Sequence, residues 1–537
     1  MTSGLLGIGR SALLASYAQL QTTGHNIANA NTPGYSRQDA VFASAGGTGT
    51  GSGFVGRGVT LTDIQRHYDR FLGTELASAQ AASSADDARA GQLEQLQRVF
   101  ADTANGIGAG IDDLNTALAD VVNRASDPTA RQIVVQRAAT LARRIEDVQA
   151  QVDRSQAGVD ERLRESAERV NELLGRLAGV NQRIATSQGA GHAPNDLLDE
   201  RDRLVLELSG YLKVTTHEQA DGTVSVFTAR GEGLLVGNRQ TRLGYDAATA
   251  PGQLYVENGD LRLSLDVDAV GGGAIAGLMR FRDDDLAALR AGIGALAQQI
   301  ADTYNGYQSS GVDADGAAGR PMFEYGGPGS SFRSLLTDGR ELAAAWPVTA
   351  QAGAANTGSV QIAAFEVTGT TSGDAVTIVF DHEAGTYDVQ VAGGGAGAQA
   401  GVAYVPGQPI EIAGDGWSLS LRGVPATGDT IDVVPNGTPG TDGRNAREMI
   451  LGAEGLTDHF ARIVGDIGAR TQSAQSHRAS SAMLRDNAQA AQAEYSGVNL
   501  DEEAARLLQY QQMYQAAARV IQAAQSMFDS LLAATNR

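Results

Sequence analysis

Residues 507–531 read LLQYQQMYQAAARVIQAAQSMFDSL, and their spacing decides the architecture of the chain's ends. Leu507, Tyr510, Tyr514, Ala517, Ile521, Ala524, Phe528 and Leu531 alternate steps of three and four residues without a miss, the seam of a coiled coil. Gly497 precedes this run, and Asp501, Glu502 and Glu503 place negative charge at its start, where a helix dipole favours it. The flanking positions are nearly all Ala, Gln, Ser and Thr, which suits crowded helix–helix contact better than a bulky core.

The other end of the chain answers it. Leu6, Leu13, Leu20 and Ile27 recur every seven residues, with Tyr17 and Gly24 in the intervening slots. Both ends therefore call for a helical partner. Inward of them, Val134, Ala138, Leu141, Ile145, Val148, Val152 and Val159 hold one apolar register and Leu163, Ala167, Val170, Leu174, Leu177 and Ile184 another. The two registers are displaced by one residue, so a skip or break is expected near Gly158. Further helix is expected over Asp283–Tyr304 and Arg444–Ala493. Strands begin after Val214, with Thr223–Thr228 following the turn Asp221-Gly222. Residues 254–257 and 261–265 flank Asn258-Gly259-Asp260, a hairpin by turn chemistry.

Composition shifts between Trp346 and Gly440. That span holds both tryptophans, alternating runs such as Val376-Thr377-Ile378-Val379-Phe380, and nine carboxylates against the single base Arg422. The expected fold is mainly α with β insertions, its terminal coiled-coil helices paired N with C. Residues 1–70 and 487–537 form the terminal helical part. Residues 71–345 and 441–486 form a helical-bundle trunk carrying β-hairpins, and 346–440 an inserted, acidic, all-β domain.

Composition also excludes. The 537 residues carry 41 basic and 62 acidic side chains, a net charge of −21, which argues against a general nucleic-acid binder. With no cysteine there is no thiol nucleophile, disulfide or Cys-bearing zinc site. The sole lysine, Lys213, lies in no phosphate-binding loop, and no Gly-x-Ser-x-Gly elbow occurs. His217-Glu218 and His382-Glu383 begin like zinc-binding helices but lack the second histidine, and both lie in strand or turn sequence. Gly51-Ser52-Gly53-Phe54-Val55-Gly56 fits a dinucleotide pattern in letters only, with no strand–turn–helix context. No enzyme, cofactor or metal site is expected. No apolar run is long enough to span a membrane, and Arg10 interrupts what would be the core of a cleaved secretion signal.

One segment is more specific than any periodicity. His25-Asn26-Ile27-Ala28-Asn29-Ala30-Asn31-Thr32-Pro33-Gly34-Tyr35-Ser36-Arg37 resembles the signature of bacterial flagellar rod, hook and hook-associated proteins. The run Gly58–Asp69 and the C-terminal Ser496–Glu503 with Gln511, Tyr514 and Gln515 also look like that family. Asn195-Asp196-Leu197-Leu198-Asp199-Glu200-Arg201-Asp202 and Gly311–Gly316 are similar to its hook-associated protein 1 branch; nothing in 346–440 resembles it.

The resemblance implies a structural protein that polymerises at the hook–filament junction and is needed for filament assembly. It implies terminal helices lining an inner tube, with Leu6, Leu13, Tyr17, Leu20, Ile27, Leu507, Tyr510, Tyr514, Ile521, Phe528 and Leu531 as the assembly interface. Asn26, Asn29, Asn31, Thr32, Pro33, Gly34 and Tyr35 are its motif residues. It implies copies of the chain, hook protein, the next hook-associated protein and a cytoplasmic export chaperone as partners, the chaperone on Leu507, Tyr514, Ile521 and Phe528. Nucleic acid and membrane insertion are not implied. The destination is extracellular, in the flagellum, by export without a cleaved signal. The alternatives are another axial protein, hook protein or flagellin, or an axial protein whose β insert is an adhesin.

Overall fold

The computed structural model describes residues 2–50, 53–100, 106–188, 194–249, 251–327, 329–394, 397–412 and 415–535. Its helices are α1 (Thr2–Asn29), α2 (Arg70–Phe100), α3 (Ile107–Asn123), α4 (Pro128–Gln188), α5 (Asn195–Ser209) and α6 (Val267–Val270). After them come α7 (Gly273–Arg280), α8 (Ala287–Ser310), α9 (Arg444–Gly452), α10 (Leu456–Ser496) and α11 (Leu500–Thr535). Contacts divide the chain into two units, residues 1–94, 157–284 and 470–537, and residues 95–156 and 285–469.

In the first unit α1 and α11 lie side by side. The Asn499 carboxamide caps α11 by accepting from the Asp501 amide at 3.0 Å, ahead of the three acidic residues of its first turn. After α1 the chain forms a ribbon of β1 (Gln38–Ser44) and β4 (Val59–Arg66), capped by the short pair β2 (Gly47–Thr50) and β3 (Gly53–Gly56). The glycine pattern at 51–56 thus enters a hairpin strand; Gly51 and Ser52 lie outside the described residues.

Two antiparallel sheets follow α5 in the same unit. One has four strands, β5 (Val214–Glu218), β6 (Val224–Thr228), β7 (Gly233–Val236) and β8 (Arg239–Gln240). The other has three, β9 (Arg242–Asp246), β10 (Gln253–Asn258) and β11 (Leu261–Leu265), so the strands form sheets rather than isolated hairpins. Gly259 turns β10 into β11 at φ +63°, a conformation that costs glycine nothing. Asparagines on α4 hold both sheets. The Asn171 carboxamide exchanges bonds with Leu243 N–H and C=O at 2.9 and 2.7 Å, and Asn181 does the same with Val224 at 3.1 and 2.8 Å.

α4 is one unbroken helix of 61 residues. Of the skip or break expected near Gly158, the skip is present and the backbone does not break. Val152 and Val159 are both buried and Gly158 is exposed, so the apolar stripe changes register while the backbone continues. The change falls between Val159 and Leu163, just past residues 156–157, where α4 passes from one unit to the other. Helix around Asp283 starts earlier than its periodicity indicates, at α7, and passes through a π-turn at Phe281–Leu286 into α8. Gly455, at φ +88°, separates α9 from α10.

The second unit is built on α3, whose Ile107, Ile111, Leu114, Leu118 and Val121 are buried, with α8, α9 and the hairpin β12 (Phe323–Tyr325)–β13 (Phe332–Ser334). Tyr304 is fully buried and its hydroxyl donates to Asn115 Oδ1 at 2.8 Å. Among the described residues between 348 and 435 lie eight strands. β14 (Val348–Ala352), β21 (Thr430–Pro435), β16 (Val376–Asp381), β17 (Thr386–Val391) and β18 (Gln399–Ala403) make a five-stranded sheet in that order. β15 (Gln361–Val367), β20 (Trp417–Arg422) and β19 (Pro409–Glu411) make a second sheet of three. Their inner faces share one core around Trp417, Leu419, Ile378 and Ile431. The segment enters and leaves through neighbouring strands, Val348 opposite Pro435, and Arg444 stacks on Trp346 at 4.6 Å beside this stem.

Candidate functional site

Two contacts fix how the terminal helices meet. A Cβ added at Gly9 would lie 2.8 Å from Ile521 Cγ1, and Asn26 Nδ2 donates to Glu503 Oε2 at 3.1 Å. As residue numbers rise along α1 they fall along α11, so the pair is antiparallel and facing positions have numbers adding to 529–530. In that register Leu6 faces Ala524, Gly9 faces Ile521, Leu13 faces Ala517, Ser16 faces Tyr514 and Thr23 faces Leu507. Large stands opposite small at each of these rungs, and the small members Gly9, Ser16, Thr23, Ala517 and Ala524 are the buried ones. Such pairing lets the helices approach closely.

The predicted interface residues divide accordingly. Leu6, Leu13, Leu20, Ile27, Leu507, Tyr510, Tyr514 and Ile521 are half-buried. Tyr17 and Phe528 are exposed, 56% and 46%, so they point away from the pair. The Leu531 side chain lies outside the described residues. Sequence reasoning missed the second heptad, Gly9, Ser16 and Thr23, whose seven-residue spacing of small side chains was readable. It also missed an open stripe on α11, Met513, Val520 and Met527, again seven apart and each exposed by more than 40%.

At the end of α1 the motif residues build a polar hub. Asn26, 1% exposed, makes all four bonds its carboxamide allows. Its Nδ2 donates to Gln38 O at 2.9 Å and to Glu503, and its Oδ1 accepts from Gln38 N at 3.0 Å and from the Tyr35 hydroxyl at 2.8 Å. His25 Nδ1 lies 3.0 Å from that hydroxyl. Burial, and then the charges of Asp196, Asp199 and Glu503, push the Tyr35 hydroxyl far up, so it stays a donor. Asn29 and Thr32 close the helix end locally, with Thr32 Oγ1 donating to Asn29 Oδ1 at 3.2 Å. Gly34, at φ +80°, turns the chain over Arg203. Asn31, Thr32 and Pro33 face solvent.

The hub reaches α5. The Ser36 amide and Arg66 donate to the two oxygens of Asp199 at 3.0 and 2.9 Å, and Arg66 also pairs with Asp202 at 2.8 Å. Burial pushes the Asp199 carboxyl above its usual value, although those two donors oppose the shift. Arg66 covers the Tyr68 ring at 4.2 Å, and burial raises the Tyr68 hydroxyl to about 12. Asn195 donates to Ile64 O at 2.7 Å. On the α11 side Glu503 is 1% exposed, and Arg506 bridges it to Asp39 at 3.5 and 3.0 Å, while Asp39 also meets His67 at 2.6 Å. Glu503, read from sequence as a dipole charge, is therefore a buried tie between the two ends of the chain. The motifs at 25–37, 58–69, 195–202 and 496–503 come together here.

This arrangement can clamp helices and present apolar stripes. Among the described residues no group of three or more His, Asp or Glu side chains is placed to hold a metal ion. No described helix is long and apolar enough to cross a membrane.

Comparison with known proteins bears on the same segments. Residues 93–323 match the family model described as the flagellar hook-associated protein FlgK helical domain. Residues 6–35 match that of flagella basal body rod protein, and 489–534 that of the flagellar basal body rod FlgEFG protein C-terminal. Flagellar hook-associated protein 1 of Escherichia coli is 27% identical over 99% of both chains. Its counterpart in Salmonella typhimurium is 28% identical, and that of Bacillus subtilis 24%. The solved structure of the flagellar hook junction protein FlgK from Burkholderia pseudomallei superposes with a TM-score of 0.70 at 23% identity, over 78% of this chain and 99% of that one. That likeness shows the fold.

Proposed function

We propose that the chain belongs to the flagellar hook-associated protein 1 family and serves as a structural protein of the hook–filament junction. Copies join through their terminal helices into a tube by head-to-tail contacts, which need no ring of isologous pairs. One observation carries this reading. The α1–α11 pair buries its small residues and leaves Tyr17, Met513, Val520, Met527 and Phe528 open to solvent on a slender two-helix ribbon. Apolar surface of that kind calls for neighbours.

The family is one of flagellar structural proteins, and the reading assigns no chemistry. Its partners are copies of the chain, hook protein on one side and the next hook-associated protein on the other. The acidic β segment within 346–440 faces outward as a separate domain, since close stacking of eight net negative charges per copy is repulsive. Export to the cell exterior proceeds without a cleaved signal. Before assembly a chaperone covers Leu507, Tyr514, Ile521 and Phe528. The first three are half-buried in the helix pair, so chaperone and α1 compete for the same stripe.

Deleting the gene tests the reading. Hooks without filaments, with flagellin free in the medium, are expected; filaments of normal number and length reject it.

A further inference from the structure

We propose that the buried pair Asn26–Glu503 locks the register in which the two terminal helices meet. The proposal deepens the assembly reading and rests on it for its consequence, though not for its test. The apolar pattern alone leaves the register degenerate. Both helices repeat every seven residues, so sliding α11 by one heptad, about 10.5 Å, preserves the matching of small with large. Ser16 would then face Ile521, Thr23 would face Tyr514 and Leu13 would face Ala524.

The polar pair removes the degeneracy. After that slip Glu503 would stand level with Pro33, beyond the end of α1, and Asn26 would face Tyr510. A slip in the other direction would set Glu503 against Gln19 and leave Asn26 level with Ser496, before the start of α11. Only the observed register gives Asn26 its fourth hydrogen bond and lets Arg506 span Glu503 and Asp39. A buried polar residue at one position of an otherwise repetitive seam is a known way to select one register among several. The consequence is a fixed height of the open stripe Met513–Val520–Met527 relative to Tyr17. A neighbouring copy therefore meets one surface rather than two displaced by a heptad.

The absence of cysteine makes the test direct. The pair Ser16→Cys with Tyr514→Cys reports the observed register, and Ser16→Cys with Ile521→Cys reports the slipped one. In the purified full chain, copper–phenanthroline with oxygen takes two hydrogens from facing thiols to form a disulfide. Only the 16–514 bond is expected to form. Introducing Asn26→Leu and Glu503→Leu together leaves no stranded charge and should raise the 16–521 yield at least about tenfold. Glu503→Gln, whose amide oxygen still accepts from Asn26, should retain 16–514. Circular dichroism showing unchanged helix content verifies that the leucine variant is folded. Exclusive 16–514 bonding in the folded leucine variant, or a 16–521 bond in the otherwise unaltered chain, overturns the lock. Because the readout needs no flagellum, its failure is separate from failure of the junction role.

Discussion

Asn26→Ala removes four hydrogen bonds at one buried point, and the structure says which losses matter. Tyr35 keeps His25 as a neighbour at 3.0 Å, and Glu503 keeps Arg506 at 3.5 Å. The Gln38 N–H and C=O, bonded to Asn26 at 3.0 and 2.9 Å, are left buried without it. Each such group costs about 1–3 kcal/mol, so the variant should lose roughly 3 kcal/mol of local stability. At about 1.4 kcal/mol per tenfold, that is a rise on the order of 10² in the local opening equilibrium. Amide hydrogen exchange on the purified chain reads this out. Exchange should accelerate about a hundredfold at residues 22–38 and 499–507, while amides of the α4 core around Val170 and Leu174 stay unchanged. Acceleration below about threefold at the hub, or an equal change in α4, refutes the assignment of Asn26 as the tie between the chain's ends.

Gly9→Leu forces a side chain into the space of Ile521 and should part the helices at that rung, costing about 1–3 kcal/mol; faster exchange across residues 5–16 and 515–525 checks it. The raised Asp199 carboxyl means the folded chain holds that proton more tightly than the unfolded chain does. Its contribution to stability is full below its ordinary value of 3.8 and is lost as pH rises through the raised folded value. Relative to Asp199→Asn, which cannot titrate there, the urea midpoint of the native chain should therefore fall over that window; a constant gap contradicts it. Replacing residues 349–434 with a short Gly-Ser linker is expected to leave hook–filament joining intact, because the flanking Val348 and Pro435 are paired neighbours. Loss of filaments despite normal export of the shortened chain is the contrary result.

The terminal helices were legible because coiled-coil seams repeat, and the hairpin at Asn258-Gly259 because its turn chemistry is local. The positions that are buried at the seam were harder to see. Large side chains carry the periodic signal, yet where helices approach closely it is Gly9, Ser16 and Thr23 that are covered. Glu503 was read by its place in the first turn of α11, which is true, but its burial depends on a partner 477 residues away. The shift near Gly158 came as a skip and not as a break, because a helix can change its apolar stripe without stopping. The asparagines gave no signal of their bonds, although Asn26 stood out as a motif residue. Asn26, Asn171, Asn181, Asn305 and Asn356 each exchange bonds with the backbone N–H and C=O of a distant residue, respectively Gln38, Leu243, Val224, Phe323 and Thr430. A carboxamide has the donor and acceptor for this anywhere in a chain, and only tertiary structure tells which ones are used.

In the proposed junction the open stripe on the terminal pair joins one copy to the next. A photoreactive benzophenone amino acid in place of Val520, irradiated in purified hook–filament particles, tests it most directly. Covalent adducts near twice the 55.7 kDa of the chain, containing this chain, are expected in the particles and none in the dilute monomer. Particles that yield only the uncrosslinked chain after irradiation would contradict it.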